Sequence, residues 1–192
     1  PVAGDVTTQT RTVMDNASAL VAAAGMSLKD VVSARVYLTD LAGFQDMNAA
    51  YRSYFPADPP ARATVRAPLM GPQYTVEITL VAVAGPSRRV FTTPAADGTP
   101  GRPNPNLSSA VQVGNTLYLS GMLGSTASNH GDVGAQTRET LARIGRTLKA
   151  AGFRPVALGR AVLRELESDR ARERARGIDQ VAVREALHRG LG

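Results

Sequence analysis

Pro60-Ala61-Arg62-Ala63-Thr64-Val65 is followed, fifteen residues after its arginine, by Val76-Glu77-Ile78. Each stretch reads as a β-strand carrying one charged group among apolar neighbours. An arginine and a glutamate placed this way are costly to desolvate unless they pair or face a ligand. Two readings follow. One is a structural salt bridge within a sheet, and the other is a binding site that two strands present.

The flanking sequence extends the pattern in both directions. Upstream, Asp40 to Phe55 reads as a helix with Phe44, Met47, Tyr51 and Tyr54 or Phe55 turned inward, ended by Pro56-Ala57-Asp58-Pro59-Pro60. Before it, Val32, Ala34, Val36 and Leu38 alternate as a strand. Earlier still, Met14, Ala17, Val21 and Ala24 fall at helical spacing, with Asp5 placed to cap the helix and Gly25 to stop it. Downstream, strands are expected over roughly 63–67 and 75–84. Residues 1–85 therefore read α-β-α-β-β.

Part of this pattern returns. Gly4-Asp5-Val6-Thr7-Thr8-Gln9-Thr10-Arg11 reappears as Gly131-Asp132-Val133-Gly134-Ala135-Gln136-Thr137-Arg138, and Ala23-Ala24-Gly25 as Ala150-Ala151-Gly152, at the same offset of 127. Leu141, Ile144, Leu148 and Ala151 repeat the helical stripe. Before this second helix, Val111, Val113, Leu117 and Leu119 alternate around Gly114-Asn115, a two-residue hairpin turn. Residues 86–103, rich in Gly, Pro, Thr and Arg and without period, read as a linker. Leu158 to Leu163 resembles the next strand. From about Ser168 the correspondence fades into an Arg/Glu-rich tail, in which Val183, Leu187 and Leu191 suggest one more helix. The expected organisation is a domain over 1–85 lacking its opening hairpin, a linker over 86–103, the opening of a second domain over 104–166, and a divergent helical tail over 167–192. The complete unit would be β-β-α-β-α-β-β.

Composition narrows the chemistry. The 192 residues, 43% hydrophobic and 20% charged, suit one globular domain or two small ones. No run approaches the ~18 apolar residues of a membrane span, and no basic-then-apolar leader is visible. With no cysteine, disulfides, thiolate catalysis and cysteine zinc sites are excluded; two histidines, His130 and His188, argue against a metal site. A cytoplasmic protein is expected. The net charge of +6 is uneven: residues 1–85 carry −1 and residues 86–192 carry +7. The tail arginines alternate with Glu165, Glu167, Asp169, Glu173 and Glu185, which suits a solvated helix, so nucleic acid is not the expected partner. The start at Pro1, without methionine, and the incomplete copies admit a processed protein or part of a longer one.

The assembled motifs resemble the Rid family (YjgF/YER057c/UK114). Residues 4–85 carry the resemblance strongly through Gly-Asp-Val, Gln-Thr-Arg, Val-Tyr-Leu-Thr-Asp-Leu, Met-Asn-Ala-Ala-Tyr and the Arg62/Glu77 pair. Residues 104–166 carry it more weakly through Val-Gly-Asn-Thr-Leu-Tyr-Leu-Ser-Gly, similar to the family's first hairpin. The resemblance implies an α+β fold of the Rid (chorismate-mutase-like) type. That fold is a mixed β-sheet with two helices packed on one face, here in two incomplete copies and usually assembled as a trimer. Because sites in this family form between neighbouring subunits, the hairpin over 107–121 either completes the sheet opened by residues 31–84 or opens a second full domain.

The resemblance also implies an activity: hydrolysis of 2-imino acids of the 2-iminopropanoate or 2-iminobutanoate kind to 2-keto acids and ammonia, with no metal or organic cofactor. Arg62 matches the arginine that grips the substrate carboxylate, a task suited to its planar, permanently charged fork. Glu77 matches the glutamate that handles the attacking water. Asn48, Ser120 and Gly121 match pocket positions that offer hydrogen bonds. Leu107 stands where many active members have a tyrosine, and Thr64 where a cysteine is frequent. Two other readings stay open: a non-catalytic module of the same fold that binds small carboxylates or proteins, and an RNA-directed role.

Overall fold

In a computed structural model of the chain, residues 4–85 and 87–153 are described. They divide into two compact units that meet between Gly121 and Met122. The strand expected over Leu158 to Leu163 and the tail helix lie outside the described residues.

The first unit opens with helix α1 (Val6–Ala23). Asp5 accepts from the Thr8 amide at 2.8 Å, and at the other end Gly25, with φ of 74°, lets the Met26 amide reach the Val21 carbonyl. Gln9, buried, binds the Gly4 and Gln73 carbonyls and receives the Thr75 amide, tying the helix to the loop before the third strand. Only the N-terminal half of the expected apolar stripe is fully covered, at Met14; Ala17 and Val21 are half-buried and Ala24 is exposed. Strand β1 (Val31–Leu38) follows, then helix α2 (Phe44–Arg52). The helix read from Asp40 begins at Phe44 because the Asp40 carboxylate binds the Ala42 amide and draws Leu41–Gly43 into a 3₁₀ turn.

Strands β2 (Ala61–Arg66) and β3 (Val76–Ala82) flank β1 in the order β2-β1-β3. β2 runs parallel to β1, as a crossover through α2 requires, and β3 runs antiparallel. Ala34, Val36 and Leu38 point to the helices and form a core with Met14, Met47, Tyr51, Phe55 and Val76. A bulge between Val31 and Ser33 turns Val32 to the opposite side of the sheet.

That opposite side is where the second repeat contributes. Residues 86–103, read as a linker, contain strand β4 (Arg88–Phe91), paired antiparallel with β5 (Ala110–Val113), which in turn pairs with β6 (Thr116–Leu119). The turn at Gly114 (φ 56°) matches the expected hairpin. β4 escaped the sequence reading because four residues between proline-rich segments show no period. Only pairing with a distant strand makes them extended. Val111 and Val113 pack with Val32 and Ala61 in a second core that Val90 also joins. An isolated bridge between Ala61 and Ser108 ties the start of β2 to the segment leading into β5. The fold is α+β, with both helices of this unit on one face of the first sheet.

The second unit holds helix α3 (Val133–Ala150), the repeat of α1. Its ends match those of α1: Asp132 accepts from the Ala135 amide at 2.9 Å, and Gly152 (φ 80°) precedes a Phe153-to-Leu148 backbone bond. On its surface Glu139 pairs with Arg143 at 2.7 Å and Arg146 at 3.2 Å.

Candidate functional site

Arg62 is 3% exposed, on the helix-facing side of β2. Its Nη2 donates to Asn48 Oδ1 at 2.6 Å, Nη1 lies 4.0 Å from Met47 Sδ, and its Cζ stands 4.8 Å from the Tyr51 ring centroid. All three partners come from α2: Asn48 and Tyr51 are one turn apart and so share a face. No carboxylate among the described residues pairs with this guanidinium, and Nε has no partner. Burial pulls the arginine below its usual range, with Tyr51 acting in the other direction. Burial pushes Tyr51 up, against the pull of Arg62, so its hydroxyl stays protonated at neutral pH. The hydroxyls of Tyr51 and of Thr64, on the same strand face as Arg62, also lack partners.

The hairpin of the second repeat holds the backbone of this arginine. The Arg62 amide donates to Ser120 Oγ at 2.7 Å, and that hydroxyl donates to the Ser108 carbonyl at 2.6 Å. Ser108 in turn donates through its hydroxyl to the Pro59 carbonyl at 2.6 Å and through its amide to the Pro60 carbonyl at 3.1 Å. Gly121 donates to the Arg62 carbonyl at 3.1 Å, and a Cβ there would stand 3.1 Å from the Ala63 Cβ, which favours glycine at this crossing. Arg62, Asn48, Ser120 and Gly121 thus come together, although they lie in three separate segments.

Glu77 and Leu107 stand elsewhere. Glu77 pairs in register with Tyr37, whereas Arg62 pairs with Ala34, and the pleat sends these positions to opposite faces. Glu77 is exposed on the face away from α1 and α2. Leu107 lines a cleft of about 420 Å³ together with Phe55, Pro59, Phe91, Pro103 and Ser108. Arg62 does not line it.

Sequence reasoning missed Tyr51 as part of the arginine's surroundings and Ser108 as a link in its support. Tyr51 was legible only as a core aromatic; its three-residue spacing from Asn48 was the available signal. Nothing in the sequence pairs Ser108 with Pro59. Among the described residues there is no cluster of three or more His, Cys, Asp or Glu side chains to hold a metal, and no helix long and apolar enough to cross a membrane.

The family model described as endoribonuclease L-PSP matches residues 1–84 and 100–158. A RutC family protein of Sulfurisphaera tokodaii is 43% identical over 84 residues, covering 44% of this chain and 67% of the relative. Protein DfrA of Myxococcus xanthus is 42% identical over 83 residues, covering 43% of this chain and 63% of the relative. The matched part of the chain therefore spans about two thirds of the length of these curated relatives. Among solved structures, the YjgF gene product of E. coli shares 36% identity over 43% of this chain and 68% of its own, with a TM-score of 0.41. E. coli TdcF, solved with bound serine, shares 32% over 44% and 69%, with a TM-score of 0.42.

Proposed function

The chain belongs to the Rid (YjgF/YER057c/UK114) family, and on that premise we propose that it hydrolyses small 2-imino acids to 2-keto acids and ammonia. The observation that carries the reading is the state of Arg62: a buried cation with no acid beside it and Nε–H unpaired. A structural ion pair would supply a carboxylate from the protein. Here the missing counter-charge is the carboxylate of a ligand, which two N–H groups of one guanidinium can grip side by side.

In the reaction, water adds to the imine carbon and gives a carbinolamine. One proton passes to the nitrogen, the C–N bond breaks, and ammonia leaves as the carbonyl forms. Glu77 accepts the proton of the attacking water and returns it to the nitrogen. Within one chain Glu77 and Arg62 face opposite sides of the sheet, so the working site joins Arg62 of one copy to Glu77 of another, in a trimeric assembly. The reaction needs no metal or organic cofactor.

Turnover of freshly generated 2-iminopropanoate tests the assignment. Arg62→Ala should abolish it, and Arg62→Lys should restore little, because a point charge lacks the paired grip. Full activity in the alanine variant would remove Arg62 as the anchor. The placement of Glu77 and the apolar Leu107 favour a second reading, a module that binds small carboxylates without turning them over. Carboxylate binding that depends on Arg62, without turnover by an assembled oligomer, would select it. RNA affinity falling steeply with salt would instead favour the RNA-directed role.

A further inference from the structure

Arg62 is held at one end by Asn48, and its Cζ stands over the face of the Tyr51 ring. Tyr51 is itself wholly buried, and Phe55, with its ring centroid 4.9 Å away, backs it. We propose that Tyr51 is a positioning residue for anion recognition, fixing the plane of the Arg62 guanidinium through the face of its ring. The inference rests on the reading of Arg62 as a carboxylate anchor and says how that anchor is aimed.

The physical argument starts from what a guanidinium needs. A cation over an aromatic face is attracted by the ring's quadrupole, and the attraction grows when water is excluded, as it is here. The hydrogen bond from Nη2 to Asn48 and the weaker contact of Nη1 with Met47 Sδ hold the two terminal nitrogens but leave rotation about the line through them. Contact with the Tyr51 ring restrains that rotation. Together they leave the Nε–H direction defined. A carboxylate needs two N–H groups held in one plane, so an untethered fork loses the bidentate geometry even with its charge intact. The Tyr51 hydroxyl makes no hydrogen bond within the chain, and the ring is the part of Tyr51 that touches the guanidinium.

Ring and hydroxyl can be separated. Tyr51→Phe keeps the face and should bind pyruvate, the stable 2-oxo product, within about twofold of the parent. Phenylalanines bearing one, two and three ring fluorines at position 51 keep nearly the same shape while draining the ring's negative face. Pyruvate affinity, followed by NMR titration, should fall stepwise along that series by about tenfold in total. Arg62 Nε–H hydrogen exchange, which needs no ligand, should quicken in the same order. A flat response of both affinity and exchange overturns the proposal. Arg62→Ala measured in parallel separates the two claims. If it abolishes pyruvate binding while the fluorine series is flat, only the role of Tyr51 fails. If pyruvate binding survives it, the carboxylate anchor fails, and the exchange series alone decides whether Tyr51 fixes the guanidinium.

Discussion

Arg62 and Ser120 have opposite consequences for stability, although they touch. A buried guanidinium without a carboxylate has lost its hydration and gained only Asn48 and an aromatic face in return. Arg62→Met should therefore stabilise the fold by at least about 1 kcal/mol in urea unfolding while removing carboxylate binding. A structural salt-bridge arginine would give the reverse sign. Ser120 serves two buried backbone groups at once, the Arg62 amide and the Ser108 carbonyl. Ser120→Ala leaves both unpaired and should cost roughly 2–3 kcal/mol in the same measurement. A loss below about 0.5 kcal/mol would show that relaxation re-pairs them.

Among the elements, the helices were the most legible. Asp5 with Gly25, and Asp132 with Gly152, bracket apolar stripes at matched spacing, and each is a local signal that needs no distant partner. The alternation of Val76, Ile78 and Leu80 likewise puts Glu77 on the other face of its strand. What could not be read was long-range pairing. β4 is extended because β5 is beside it, and the hairpin meets β2 because Val111 and Val113 find Val32 and Ala61. The site was legible to the same degree: motif positions named Arg62 and Asn48, while the meeting of Asn48, Arg62 and Ser120 is a product of packing. Val111, fully buried between the sheets, measures that packing. Val111→Ala should destabilise the chain by about 2 kcal/mol and weaken pyruvate binding with it, because the hairpin that loosens carries Ser120. Unchanged affinity in a destabilised variant would show that the hairpin is dispensable for the site.

At the scale of the whole molecule, the separation of Arg62 from Glu77 makes a quantitative demand on assembly. If each working site takes Arg62 from one copy and Glu77 from its neighbour, Arg62→Ala and Glu77→Gln chains are each inactive alone but complement when mixed. In an equal, random mixture of a closed cyclic oligomer, a site is intact when an Arg62-bearing copy meets a Glu77-bearing one, giving about one quarter of parental activity. Unfolding and refolding the two variants together, then assaying 2-iminopropanoate, checks this. No recovery in co-assembled oligomers would place both residues in one copy's site or exclude turnover.

The bond between the Arg62 amide and Ser120 spans 58 residues of chain. During synthesis from the N-terminus, β1, β2, β3 and both their helices are finished before Ser108 and Ser120 exist. At ~5–20 residues per second the ribosome needs several further seconds to deliver them. For that interval the edge of β2 is bare, its arginine amide is unanswered, and the apolar patch at Val32 and Ala61 is uncovered. The nascent chain thus passes through a vulnerable stage in which its first core can form but the support of the Arg62 backbone cannot. Arrival of the hairpin ends that stage and fixes the backbone of Arg62.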